Sequence, residues 1–104
     1  MKPEKVVFLD NDLQKSFEEL REDDPIKKGI KKAIQEISQN AFCGRNVKKS
    51  LIPERYSNLN NLWIYNLPSA WRLIYSVAPG KIEIIAVVLD WMNHKDYEKL
   101  FRFG

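Results

Sequence analysis

Arg72 lies in the run Trp71-Arg72-Leu73-Ile74-Tyr75-Ser76-Val77, and His94-Lys95-Asp96-Tyr97 follows a second apolar run, Ile82-Glu83-Ile84-Ile85-Ala86-Val87-Val88-Leu89. An arginine, a histidine, a lysine and a tyrosine near the ends of two core strands form a set suited to phosphate chemistry. The guanidinium is a planar fork that grips two phosphate oxygens at once, whereas lysine acts as a point charge. Histidine, with an unperturbed pKa of about 6.5, moves protons in either direction near neutrality, and His94 is the only one in the chain. Tyrosine, with a pKa of about 10, donates a proton late in a reaction or stacks a base on its ring. Tyr97 follows His94 by three residues, so one helical turn puts both on one face. Each residue also has a plainer use. Arg72 would pair with Glu83 across the hairpin or with Asp90, His94 would simply start a surface helix, and Tyr97 would pack with Leu100 and Phe101.

These groups need a scaffold. Lys5-Val6-Val7-Phe8-Leu9 reads as a first strand. Asp10 or Asp12 then caps an amphipathic helix carrying Leu13, Phe17 and Leu20. Asp24-Pro25 opens a second helix, because aspartate caps and proline at the first helical position gives up no needed hydrogen bond. Its apolar stripe is Ile26, Ile30, Ile34, Ile37 and Ala41, and Gly44 is placed to end it in a left-handed turn. The short acidic link between the helices makes them an antiparallel hairpin. Residues 45–61 read as a polar loop with a short strand near 47–52. Strands are expected over 62–65, 71–77 and 82–89, the last two joined by a type II turn at Ala78-Pro79-Gly80-Lys81. Asn93 caps a final helix with Tyr97, Leu100 and Phe101.

The expected architecture is a single α+β domain over residues 1–104: a strand, a helical hairpin, a three-stranded antiparallel meander and a short C-terminal helix. The hairpin covers the sheet face of Trp71, Leu73 and Tyr75. Arg72 alternates with these and points to the opposite face, where it and His94 would open onto one uncovered, cationic hollow.

Composition limits the alternatives. The chain has 104 residues, of which 44% are hydrophobic, and a net charge of +3. Residues 10–24 hold seven acids against Lys15 and Arg21, whereas residues 27–49 hold seven basic residues against Glu36 alone. The basic stretch would face RNA, DNA or an acidic protein, or else Lys27, Lys28, Lys31 and Lys32 form a solvated helix face. A lone cysteine, Cys43, excludes an internal disulfide and reads as a small buried hydrophobe, in keeping with a reducing, cytoplasmic setting. One histidine and one cysteine make no metal cluster, no glycine-rich phosphate loop occurs, and no cofactor is expected. No apolar run approaches the ~18 residues of a membrane span, and Met1-Lys2-Pro3-Glu4 does not begin a signal peptide.

The element order, the Trp71-Arg72-Leu73-Ile74-Tyr75 strand and the terminal His94-Lys95-Asp96-Tyr97 together resemble the RelE/ParE superfamily of toxin–antitoxin toxins, most closely its RelE-like branch. The resemblance implies a type II toxin wrapped by a cognate acidic antitoxin, and a metal-independent mRNA endoribonuclease (an mRNA interferase), often ribosome-dependent. In one ParE-like branch it implies instead a non-enzymatic poison of a topoisomerase, and a non-toxic binding module is a third form of the same fold. Such cleavage needs a base for the 2′-hydroxyl proton, cations for the phosphate and an acid for the leaving 5′-oxygen. The resemblance assigns Arg72, His94, Lys95 and Tyr97 to catalysis, and Arg45, Lys48, Lys49 and Arg55 to RNA binding. The ribosome-dependent nucleases carry a further arginine just before the strand that holds Arg72. Here that turn is Leu67-Pro68-Ser69-Ala70. The partners implied are the antitoxin, mRNA with the ribosome, and a second copy of the chain, with no membrane.

Overall fold

In the computed structural model, residues 2–3, 5–79 and 84–101 are described. The chain runs β1 (Lys5–Phe8), α1 (Asn11–Glu18), α2 (Pro25–Gln39), β2 (Arg45–Asn46), β3 (Trp63–Asn66), β4 (Arg72–Pro79), β5 (Ile84–Met92) and α3 (His94–Phe101), with short 3-10 turns between β2 and β4. This is an α+β fold. Its five strands form one mixed sheet in the order β1-β5-β4-β3-β2. β1 lies parallel to β5 and the remaining pairs are antiparallel.

Local chemistry accounts for the helices. Asp10 Oδ1 accepts the Leu13 N–H at 2.8 Å and Asp24 Oδ1 accepts the Ile26 N–H at 2.8 Å, each meeting a donor that a helix start leaves free. Lys27, expected on a solvated face, is instead buried. Its Nζ donates to the carbonyls of Leu20 (3.0 Å) and Glu18 (3.3 Å) and to Glu22 Oε1 (2.7 Å), which ties the end of α1 to the start of α2. Lys28, Lys31 and Lys32 remain exposed. α2 ends at Gln39 with Asn40 as its cap, earlier than the Gly44 stop expected from the sequence. Gly44 serves a different need: a Cβ there would lie 2.7 Å from the Ile64 carbonyl oxygen and 2.8 Å from Tyr75 Oη. Its N–H donates to Tyr75 Oη at 3.0 Å, and that hydroxyl donates onward to the Ala41 carbonyl at 2.8 Å. Cys43 beside it is exposed rather than buried.

The sheet carries a core on each face. Ile30, Ala33 and Ile37 of α2 close over Leu73, Tyr75, Ala86 and Val88. On the other face Ile64, Ile74, Leu89 and Met92 are covered by Tyr56 and Leu62 of the 47–62 segment and by Phe101 of α3. That second face was expected to be open, and it is not. The segment read as a polar loop carries Val47, Ile52, Tyr56 and Leu59, which with Leu62 just after it supply enough apolar surface to roof the sheet.

The two faces meet in β5 at a bulge. Ile74 pairs with Asp90 but Tyr75 pairs with Val88, so Leu89 is an extra residue. Beyond it the strand's alternation is inverted. Val88 faces the α2 side, and so does Trp91, while Leu89 and Met92 face the other core. The run before it is apolar on both faces because Ala86 and Val88 meet one core while Val87 and Leu89 meet the other. The expected turn at residues 78–81 and the expected Arg72–Glu83 pairing lie outside the described residues.

Candidate functional site

Arg72 starts β4 and stands directly across from Asn66 on one side and Met92 on the other. Cross-strand partners share a face, so Arg72 emerges on the Met92 side, where α3 begins. Asn93 caps that helix, its Oδ1 accepting the Asp96 N–H at 2.8 Å. The helix in turn sets Tyr97 beneath the arginine. The Arg72 guanidinium carbon lies 5.5 Å from the centroid of the Tyr97 ring, within cation–π reach. Arg72 Nη1 donates to its neighbour's carbonyl, Trp71 O, at 3.1 Å. Its Nε is buried and meets no acceptor among the described residues. The expected alternative, a pairing with Asp90, is not among the ion pairs of the described residues. Asp90 Oδ1 accepts the Trp91 N–H at 2.8 Å, and burial pushes its carboxyl above the usual carboxylate range.

Three more groups join this pair. Arg45, from the edge strand β2, donates from Nη2 to Tyr97 Oη at 3.4 Å. His94 stacks beside Tyr97 with ring centroids 6.4 Å apart, and Phe101 backs the tyrosine at 4.7 Å. His94 Nε2 lies 2.6 Å from Glu98 Oε1, an ion pair when the imidazole is protonated. Tyr97 Oη accepts from Arg45, which leaves its own proton for a third group. The result is two guanidiniums and an imidazole around one phenol ring, with the Glu98 carboxylate beside the histidine.

Of the expected site residues, Arg72, His94, Tyr97 and Arg45 are brought together and the others are not. Lys95 is exposed, roughly 100° round the helix from His94. Lys48 and Lys49 are exposed at the 3-10 turn Lys49–Leu51. Arg55 lines a separate cleft of about 640 Å³ with Asp90, Asp96 and Lys99, on the opposite strip of α3. The sequence reading missed Glu98, although its spacing of four from His94 is the usual signal for a helical pair. It assigned Arg45 to RNA binding but not to a place beside Tyr97, because nothing local shows that β2 folds back to α3.

Among the described residues no group of three or more His, Cys, Asp or Glu is placed to hold a metal ion, and no helix is long and apolar enough to cross a membrane. Comparison of the chain with protein-family models, with curated proteins and with solved structures yields no match.

Proposed function

We propose that this chain is a RelE/ParE-like toxin of a type II toxin–antitoxin system, acting as a metal-independent endoribonuclease on messenger RNA. The observation that carries the reading is the convergence of Arg45, Arg72 and His94 on the Tyr97 ring. One guanidinium at the Tyr97 hydroxyl and a second over its ring are suited to the nonbridging oxygens of a single phosphodiester. His94 takes the proton of the 2′-hydroxyl as its oxygen attacks phosphorus. Tyr97 protonates the departing 5′-oxygen as the P–O5′ bond breaks. The products are a 2′,3′-cyclic phosphate and a 5′-hydroxyl, with the charge of the transition state met by the two arginines. Exposed Lys48 and Lys49 would steer the RNA. A cognate antitoxin of acidic character fits the exposed Lys28 and Lys32 together with the same lysines.

The test is cleavage of RNA by the purified chain in the presence of a chelator, with and without ribosomes, followed by mapping of the end groups. Cyclic-phosphate and 5′-hydroxyl ends are expected. Tyr97→Phe should slow cleavage by about 10²- to 10⁴-fold, with the fold checked by circular dichroism. Absence of cleavage under both conditions refutes the nuclease. Growth arrest with intact RNA would point instead to a toxin that binds a protein such as a topoisomerase.

A further inference from the structure

Residues 67–71 join β3 to β4, whose facing ends Asn66 and Arg72 stand directly opposite each other. The Trp71 N–H donates to the Pro68 carbonyl at 3.2 Å, and between them Ser69 and Ala70 take φ of 57° and 63°. They are the only non-glycine residues at positive φ among those described. Two central residues at positive φ make the turn that suits an Asn-Gly pair. Here both carry a Cβ that this backbone disfavours. Both are also exposed, so packing of their own side chains does not impose the conformation. It is imposed from either end. Leu67 is buried in the core, and Pro68 is pressed on α2, where a Cβ at Gly29 would lie 2.5 Å from Pro68 Cδ. At the other end the Trp71 carbonyl accepts two bonds, from the Leu67 N–H at 2.9 Å and from Arg72 Nη1 at 3.1 Å. The first closes the turn, and the second fixes the guanidinium that lies over Tyr97. Disfavoured backbone persists only where its surroundings over-determine it, and it gathers at working sites.

We infer that the left-handed Ser69-Ala70 pair is a positioning device for Arg72, setting the Trp71 carbonyl where it holds the guanidinium over the Tyr97 ring. The consequence for cleavage rests on the nuclease reading of that site, whereas the placement of the arginine does not. A carbonyl oxygen has two lone pairs, and with the pair in place one oxygen serves the turn and the arginine together. An Ala70 returned to negative φ would turn the peptide that follows it, and the Trp71 carbonyl with it. Leu67 and Pro68 are anchored, so the carbonyl would leave either the Leu67 N–H or Arg72 Nη1. Arg72 Nε, buried with no acceptor among the described residues, offers the side chain no second anchor. The guanidinium would then swing away from the place where a phosphodiester meets Tyr97. A catalytic group misplaced by about 1 Å slows a reaction by as much as about 10²-fold.

The experiment compares Ala70→Val, Ala70→Gly and Gly29→Ala in the full chain. Valine, branched at Cβ, is a misfit at positive φ, whereas glycine adopts it freely. Alanine at position 29 favours the helix but pushes Pro68, and the turn with it, off its seat on α2. Two quantities are read on protein that circular dichroism shows to be folded. One is the Arg72 Nε–H signal in nitrogen-edited NMR, identified by its loss in Arg72→Met. The other is kcat and KM for RNA cleavage. In the wild type the signal should exchange slowly with water and stand apart from those of the exposed Arg21, Arg45 and Arg55. Ala70→Val and Gly29→Ala should move it among the exposed arginines and lower kcat by about 10- to 100-fold at nearly unchanged KM. Ala70→Gly should leave both readouts as in the wild type. A turn that served the fold alone would lower the urea midpoint and move neither. If Ala70→Val does not fold, Gly29→Ala decides on the same readouts. An unmoved signal, a kcat that survives the move, or a kcat lost equally in Ala70→Gly overturns the positioning role. A wild type that cleaves nothing while the signal responds as expected refutes the nuclease and leaves Arg72 placed by the turn. Cleavage with an unmoved signal does the reverse.

Discussion

Replacing Arg72 by methionine separates a functional arginine from a structural one. In the folded chain its Nε is buried with no acceptor among the described residues. A buried donor left unpaired costs about 1–3 kcal/mol, and methionine removes that cost. The substitution also deletes the Nη1 bond to Trp71 O and the stacking of the guanidinium on Tyr97. These contribute about 1.5–3 kcal/mol for a charged hydrogen bond and roughly 0.5–2 kcal/mol for a cation over a ring. The methionine thioether keeps contact with the ring and restores about 0.3–1.5 kcal/mol. The terms nearly cancel, so Arg72→Met should sit within about 1 kcal/mol of the wild type, a shift of less than about 1 M in the urea midpoint. An arginine holding a buried ion pair would behave otherwise and lose about 3–5 kcal/mol on removal. RNA cleavage, by contrast, should fall by about 10²- to 10³-fold, since a charge stabiliser of the transition state is gone. A midpoint that drops by about 2 M or more, with cleavage retained, would refute the argument and return Arg72 to the fold.

Two further outcomes test the frame around the site. Lys27→Met should cost about 2 kcal/mol in urea unfolding, because the carbonyls of Glu18 and Leu20 lose their buried donor. The same lysine, with Lys31, holds the Glu22 carboxyl at about 2, below its ordinary 4.5. A depressed carboxylate contributes stability that is present above its unfolded pKa and is lost as pH falls through the folded one. Wild-type stability should therefore decline between pH 4.5 and about 2, and Lys27→Met should show a shallower decline there in acid titrations followed by circular dichroism. Ala70 is exposed and sits at φ 63°, directly after Ser69 at φ 57°. Such a backbone costs a side chain about 1–2 kcal/mol, and glycine gives back about 0.5–1 kcal/mol through its freer unfolded chain. Ala70→Gly should thus raise stability by roughly 0.5–1 kcal/mol in the same urea assay, and a loss of stability would show that the strain is relieved elsewhere.

Much of the frame was legible because its signals are local. Asp10, Asp24 with Pro25, and Asn93 cap the helices they were expected to cap. The spacing of Ile30, Ala33 and Ile37 identified the buried face of α2. What failed depended on contacts remote in sequence. Nothing near Lys27 announces that carbonyls at the end of α1 will surround its ammonium. Nothing near Gly44 announces the Tyr75 hydroxyl, thirty-one residues on, that occupies its N–H. The stretch 45–61 reads as polar because few of its apolar residues follow a regular period, yet Tyr56 is core and Val47, Ile52 and Leu59 pack against that core. Periodicity detects regular elements and is silent about an irregular segment that buries side chains one at a time.

The site shows the same division, and the bulge at Leu89 explains it. Arg72, His94 and Tyr97 could be singled out by type, and strand alternation put Arg72 on the face away from α2. Whether α3 reaches that face depends on which way β5 points when it ends. A slip of one residue sends every later side chain of a strand to the opposite side. With Leu89 inserted, Met92 joins the core beneath Arg72, and Tyr97 and Phe101 of the helix that follows pack on that same side. A regular β5 would put Met92 on the α2 side and deprive α3 of its seat over Ile74. Arg72 would then face solvent with no aromatic ring below it, and Arg45 would have no phenol to meet. The extra residue, invisible in an unbroken apolar run, is what joins the arginine on one strand to the tyrosine on the last helix.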